Sequence, residues 1–465
     1  MEKKESRRAL RLVEVTEPNL FEDMFPHTEI PRVVFDQKVV EEIDGKTVTV
    51  DFSSIKEREV VITDTTFRDG QQSRPPYTVQ EIVDIFEMLS RLSGPNGVIR
   101  QTEFFVYSKK DREAVERCRE KGLRYPEITG WIRADSADFP FVAKLGLKET
   151  GMLTSCSDYH IFYKLKMDRR KALDQYTGMV KAALEAGIRP RCHLEDVTRA
   201  DIDGFVMPFV QALARISEDA PEHLRVKVRL CDTMGFGIPF PGSALPRSVP
   251  KLVLRMLNEG GMTSDCLEWH GHNDFHLVHN NAVTAWLYGC DNLNATFLGI
   301  GERTGNPTLE GALFAYASLR GDFNGADPLV LREIADYYTD VVKVNIPTRT
   351  PLLGESFTRT SAGIHAGGLY ADERVYSVFD TRKFLGMAPQ IKITDKSGAD
   401  GVVLWVNGFF GLKGKDRLKK TKLVKIMRWI TDQYDSGRVT SISNEEMEEQ
   451  VKLHLPDLYK KAKGK

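Results

Sequence analysis

Six cysteines in 465 residues, with no CxxC pair among them, exclude a dense disulfide framework and point to reduced thiols in a cytoplasm. Three of the six (Cys192, Cys231 and Cys266) fall inside predicted strands, where cysteine behaves as a small hydrophobe. Charge of neither sign is in excess: the net charge is -1, so there is no electrostatic footprint for nucleic acid or an anionic membrane surface. No stretch approaches the ~18 consecutive apolar residues of a membrane span. The opening MEKKESRRALRLVEV is charged and lacks an apolar run, so it does not read as a signal peptide. A long internal repeat and a low-complexity linker are also missing. The expectation is a soluble cytoplasmic protein, long enough for about two to four domains or for one barrel with appendages.

What is present is a rhythm. From residue 60 onward, short β-branched or apolar runs alternate with helical patterns. The runs are Val60–Asp64, Val98–Phe105, Glu127–Ile132, Glu149–Ser155, Arg189–Glu195, Val226–Asp232, Cys266–His272 and Leu293–Leu298. Between them lie stretches with helical spacing such as TVQEIVDIFEMLSRLS, RRKALDQYTGMVKAALEAG and TLEGALFAYASLRG; the second stops at Gly187. Eight strand–helix units predict an α/β chain built on a (β/α)8 TIM barrel, with a doubly wound sheet as the competing architecture. The expected organisation is an N-terminal extension over 1–55 with a hairpin turning at Asp44-Gly45, and a catalytic barrel over 56–325. A linker subdomain over 326–400 and a helical C-terminal subdomain over 401–465 complete it.

Side chains at the C-terminal ends of barrel strands point into the active site, and here those ends are polar. The first run leads into TDTTFRDGQQ, placing Arg68, Asp69 and Gln72 at the mouth. The fifth puts Arg191, His193 and Glu195 on one face, the sixth ends at Asp232 and Thr233, and the seventh puts Glu268, His270 and His272 on one face. Two imidazoles joined by the Asp69 carboxylate make a facial ligand set with open positions, suited to a Lewis acid that polarises a carbonyl. Arg68 beside such a metal would stabilise an enolate or alkoxide oxygen; the alternative is a structural ion pair. Glu195 reads as a proton-transfer group. The GxG in GIGERTGN lacks the third glycine of a dinucleotide fingerprint.

Taken together, DTTFRDGQQ, SDYHIFYKL, LEDVTR, DTMGFGIP, HGHND, GIGERTGN and SAGIHAGGLY resemble the Claisen-condensing branch of the DRE-TIM metallolyase superfamily. Its members include 2-isopropylmalate, homocitrate, citramalate and Re-specific citrate synthases. The resemblance implies that Asp69, His270 and His272 bind the divalent metal (manganese or cobalt first, then magnesium or zinc), with Asn306 beside it. It implies that Arg68 stabilises substrate oxygens, that Glu195 is the catalytic acid/base, and that acetyl-CoA is a co-substrate. It also implies that His365 and Tyr376 reach into a neighbouring subunit's barrel, which makes the protein a domain-swapped homodimer.

The second substrate is expected to be a dicarboxylic 2-oxo acid. Arg191 stands four residues before Glu195, where homocitrate synthases carry an arginine for the distal carboxylate. His193 replaces their small serine, and Asp135 stands where they tend to have histidine. Both departures favour the shorter oxaloacetate, giving citrate, over 2-oxoglutarate, with 2-oxoisovalerate and pyruvate behind. Gln72, Arg191, His193 and Thr233 are the expected substrate-binding residues. About 65 residues follow ITDKSGAD, too few for a leucine-responsive regulatory domain. Two other classes stay open: a hydroxyacyl-CoA lyase, against which the absence of a cysteine near GERTGN counts, and a non-catalytic metal-binding protein.

Overall fold

The eight runs close on themselves. A computed structural model describes residues 11–43, 45–412 and 414–463. A hairpin of β1 (Val39–Ile43) and β2 (Lys46–Val50) comes first. Of its expected turn, Gly45 has φ +74° and Asp44 lies outside the described residues. The barrel strands follow as β3 (Val61–Asp64), β4 (Ile99–Phe105), β5 (Glu127–Arg133), β6 (Glu149–Ser155), β7 (Arg189–Glu195), β8 (Lys227–Asp232), β9 (Leu267–Gly271) and β10 (Asn292–Ala295). They form a closed parallel barrel in which β10 pairs with both β9 and β3. The expected (β/α)8 architecture is therefore present. The last strand ends at Ala295 and not at Leu298, because Phe297–Gly299 forms a tight turn with Leu298 and Gly299 at φ 58° and 65°. Cys266 falls in the turn before β9, outside the strand, and all six cysteines are buried and free.

Local chemistry sets the helix limits. Thr78 and Glu81 form a reciprocal capping box that starts Val79–Ser93, whose Ile82, Phe86 and Leu89 are buried. Asp168 caps Arg169–Glu185, and Gly187 at φ +68° follows it. Among the described residues no helix is long and apolar enough to cross a membrane.

Residues 326–400 divide between two cores. The helix Val330–Asp340, Phe379 and Leu385 join the barrel core, whereas Ala366, Ile391 and Ile393 join a second core. That second core is built on the helices Gly398–Phe409, Val424–Asp435 and Asn444–His454. The N-terminal extension is tied to both the barrel and the later segment. Val33 N donates to Ser318 O at 2.9 Å, Tyr288 Oη donates to Glu41 at 3.0 Å, and Asp380 N donates to His27 O at 2.8 Å.

Candidate active site at the barrel mouth

Asp69 opens a one-turn helix after β3, and His270 and His272 sit at the end of β9. Strand β10, which pairs with both, brings them together. Asp69 Oδ2 lies 3.8 Å from Nε2 of each histidine, and the three ligand atoms lie within 4.8 Å of one another. Each imidazole is oriented from behind: His270 Nδ1 is 2.7 Å from Asn294 Oδ1, and His272 Nδ1 is 3.3 Å from Glu302 O. Both acceptors require the proton on Nδ1, which leaves the Nε2 lone pairs facing Asp69. Burial lowers both histidines' pKa, His270 to about 3, so both rings are neutral. Burial opposes ionisation of Asp69, but the Arg68 guanidinium beside it outweighs burial and holds the carboxyl below its ordinary range.

Two buried oxygens here have no hydrogen-bond partner, Asp69 Oδ2 and Asn306 Oδ1. Asn306 Nδ2 donates to Gly271 O at 3.0 Å, which turns its Oδ1 the other way. Gly301 leaves the space: a Cβ there would come within 1.9 Å of Asn306 Oδ1 and 3.3 Å of Asp69 Oδ2. Unpartnered acceptor oxygens beside two neutral imidazole nitrogens fit a divalent cation and little else.

Below the mouth the barrel interior is ionic, where barrels of this fold ordinarily stack branched aliphatic side chains. The register shows the layers. Glu195, Cys231 and His270 are level on β7, β8 and β9; His193, Arg229 and Glu268 are level one step down; Arg191 and Lys227 lie one step further. Four residues at ~3.3 Å each put Arg191 about 13 Å along the strand from Glu195, toward the barrel floor. Glu103 on β4 is the hub. It accepts from Arg68 Nε at 2.8 Å, Arg229 Nη1 at 2.9 Å and Arg191 Nη2 at 2.7 Å. Burial would raise its pKa, but the guanidinium groups of Arg229, Arg68 and Arg191 hold it well below the usual range.

Arg191 is thereby committed. Its Nη1 donates to Gln101 at 3.0 Å and Glu149 at 2.9 Å, its Nη2 also reaches Thr129, and its Nε faces Glu268 at 3.4 Å. Three protein carboxylates, Glu103, Glu149 and Glu268, already surround the residue expected to meet a substrate carboxylate. His193 lies directly above. Its ring fills the space that Gly151 leaves, where a Cβ would be 2.5 Å from Nε2, and Nε2 is 3.4 Å from Glu103. Burial, with Arg229, brings its pKa down to about 3, so it is a neutral floor to the mouth.

Glu195 stands in a cluster of its own. Lys164 Nζ is 2.9 and 2.7 Å from its two oxygens, His160 Nδ1 is 3.0 Å away, and Ser155 Oγ donates to it. Burial pushes the carboxyl up, but His160, Lys164 and Ser155 together bring it down to about 2. Thr233 Oγ1 accepts from Asp196 N at 2.8 Å, and Gln72 is exposed on the one-turn helix. Asp135 is an exposed cap, accepting from Ala137 N at 3.0 Å.

His365 and Tyr376 pack on each other, ring centroids 4.4 Å apart, and Tyr376 fills the space left by Gly368. Both are exposed to solvent, Tyr376 by 46%, beside Ile364 at 78%. Among the described residues, neither is joined by a hydrogen bond or ion pair to Arg68, Asp69, Glu195, His270 or His272. The structure thus brings Arg68, Asp69, His270 and His272 together and sets Glu195 level with them, but leaves His365 and Tyr376 outside that set. Sequence reasoning missed Glu103, His160 and Lys164. The last two lie within SDYHIFYKL, a stretch whose strand-end position was the available signal.

The HMGL-like family model matches residues 59–337. The Citrate (Re)-synthase of Syntrophus aciditrophicus (strain SB) is 50% identical over 450 residues, 96% of this chain and 69% of that protein. The Citrate (Re)-synthase of Clostridium kluyveri is 46% identical over 453 residues, 97% of each. The 2-phosphinomethylmalate synthase of Streptomyces hygroscopicus is 34% identical over 442 residues, 93% of this chain and 95% of that protein. Among solved structures, the HMG-CoA lyase of Bacillus subtilis shares the barrel fold, with a TM-score of 0.50 at 18% identity over 63% of this chain and 96% of that one. Fold and site together define a (β/α)8 barrel with a candidate divalent-metal centre at its mouth. Within that class, the chain belongs to the HMGL-like family, in the DRE-TIM superfamily.

Proposed function

We propose that the chain condenses acetyl-CoA with oxaloacetate and water to give citrate and CoA, an acyl transfer in which the acetyl group becomes an alkyl arm. The observation that carries this reading is the 46–50% identity to citrate (Re)-synthases over nearly the whole chain. Attack on the Re face is taken from those relatives' names.

Asp69, His270 and His272 would hold a divalent cation with Asn306 Oδ1 beside it; manganese or cobalt is our assignment, with magnesium or zinc suited to the same donors. Such a cation, when bound, polarises the keto group of the 2-oxo acid. Arg68 is held by Glu103 and keeps Nη2 without a partner among the described residues, available to an oxygen on which charge develops. Glu195 is ionised and so able to take the acetyl methyl proton; releasing Lys164 would raise its basicity. Gln72 and Thr233 border the oxo acid, and His193 sets the depth available to it. Arg191 acts through Glu103 and positions Arg68. His365 and Tyr376 would be supplied by the partner subunit of a domain-swapped homodimer in the cytoplasm.

The test is CoA release by the purified protein with acetyl-CoA and manganese, with oxaloacetate, 2-oxoglutarate, 2-oxoisovalerate and pyruvate side by side. Turnover confined to oxaloacetate, abolished by EDTA and restored by manganese, is expected. Preference for 2-oxoglutarate would overturn the substrate, and no turnover with any acid would overturn the reaction.

A further inference from the structure

The barrel face opposite the mouth holds a cavity of about 870 Å³. It is walled by the starts of β5, β6 and β7 and by the helix Lys109–Glu120. In this fold the N-terminal face ordinarily serves stability, while ligands bind at the other end. A cavity in the size range of ligand pockets therefore calls for an occupant.

Its charge is one-sided. Arg119, Arg124, Lys148 and Arg189 line it, against the carboxylates of Glu127 and Glu149. Glu149 is neutralised from inside, whereas the exposed Glu127 keeps its charge, so the cavity is net positive. Glu149 bonds Arg191 at 2.9 Å and Lys227 at 3.0 Å, and Glu127 accepts from Gln101 at 3.2 Å. Among the described residues, Arg119, Arg124 and Lys148 have no ion-pair partner. Two of the four cations are preset. Arg119 donates from Nη1 to Leu145 O and lies against Gly146, where a Cβ would come within 3.0 Å of it. Arg189 spends Nε on Arg225 O at 2.7 Å. Arg124 and Lys148 are exposed and adaptable. The remaining wall mixes apolar Phe86, Ile128 and Leu147 with polar Gln101, Thr129 and His223.

Fixed and adaptable cations around a partly apolar wall suit a molecule with oxyanion groups and a partly apolar body. We propose that this cavity binds an organic oxyanion of nucleotide size, its charged groups on Arg119, Arg124, Lys148 and Arg189 and its body on the mixed wall. Glu149 connects the two ends structurally, since it holds Arg191, which holds Glu103 and through it Arg68.

The experiment is calorimetric titration of the full chain with ADP, inorganic pyrophosphate and propane-1,2,3-tricarboxylate. Saturable binding of at least one is expected. ADP or pyrophosphate identifies a phosphate ligand, and the tricarboxylate a carboxylate one. Losing a charged hydrogen-bond donor costs about tenfold or more in Kd, so Arg124→Glu with Lys148→Glu should weaken binding at least that much, and Lys148→Gln alone by less. Both positions are exposed, so CoA release by the variants reports that they fold. No binding of any probe, or an unchanged Kd in the double variant, would overturn the proposal.

Discussion

Lys164 Nζ lies 2.7 Å from Glu195 Oε2 and 2.9 Å from Oε1, a bidentate clamp on the carboxylate proposed to move the proton. With His160 and Ser155 it brings the carboxyl to about 2 against the pull of burial. A carboxylate so stabilised is ionised at every working pH and is a weak base. Lys164→Gln should therefore raise the Glu195 pKa toward its ordinary value and move the acid limb of the kcat/KM profile to higher pH. The rate at neutral pH should fall, by about 10- to 100-fold, because one positioning charge is lost. An unmoved acid limb with a lower plateau would mean that Lys164 binds substrate and does not tune Glu195.

Arg191 offers a sharper division between two roles. As a ligand for the oxo acid, its loss would raise KM and leave the fold intact. As the partner of Glu103, Glu149 and Glu268, its loss strands buried charge, which typically costs 3–5 kcal/mol. Arg191→Gln is expected to lower the unfolding midpoint markedly. A tenfold or larger rise in the KM for oxaloacetate at unchanged stability would restore the substrate-binding role.

The barrel was legible in the chain because β-branched runs and helical spacing recur at the period of strand–helix units, and Asp69, His270 and His272 because strand ends face the mouth. The ionic interior was not. Gln101, Glu103, Glu149, Lys227 and Arg229 alternate along their strands as solvent-facing residues would, and only closure of the barrel turns that face inward. The surroundings of Arg191 were hidden for the same reason: spacing from Glu195 gives a face and a height, and the carboxylates opposite come from β4, β6 and β9. The clamp on Glu195 depends on a short π-helical turn, Tyr159–Lys164, which no hydrophobic period announces.

His193 tests the depth of the mouth. Its ring occupies the space beside Gly151 and stands over Arg191. His193→Ser removes the ring and deepens the floor, so the longer 2-oxoglutarate should gain relative to oxaloacetate. Pocket contacts of this size are worth ~1–3 kcal/mol, so the ratio of the two kcat/KM values should shift by at least about tenfold. An unchanged ratio, with the variant folded, would remove His193 from the determinants of chain length.

The exposed pair His365–Tyr376 makes the subunit arrangement testable without a second structure. Asp69→Asn disables the metal centre of its own barrel; His365→Ala disables the residue proposed to be delivered to a partner's barrel. Each variant alone should retain under about 1% of the activity. If the sites are shared, mixing and re-associating the two variants creates dimers in which one site carries both lesions and the other none, restoring about a quarter of the wild-type activity. No recovery after demonstrated subunit exchange would place His365 and Asp69 in the same chain's site.

Acid should expose the ionic interior. Glu149 and Glu195 fall from 4.5 to about 2 in the folded state, with Glu103 well below its ordinary value. A carboxyl lowered on folding contributes stability that is present above 4.5 and lost as pH falls through the folded value. His193, lowered from 6.5 to about 3, adds a loss that begins at 6.5. Opposing this, burial raises Asp64 and Asp232 to about 6 and Glu310 to about 7, and these stabilise the fold as pH falls toward 4. His270, lowered like His193 from 6.5 to about 3, doubles that loss, so between about pH 7 and 4.5 the two histidines and the three raised carboxyls roughly offset each other, and below that only the losses remain. Urea midpoints are therefore expected to change little from pH 7 to 5 and to drop steeply between 4.5 and 2. Each fully buried carboxylate such as Glu149 contributes roughly 3 kcal/mol to that drop. A steady decline beginning at pH 7, with no break near 4.5, would mean that the interior carboxylates are not held ionised by their arginines.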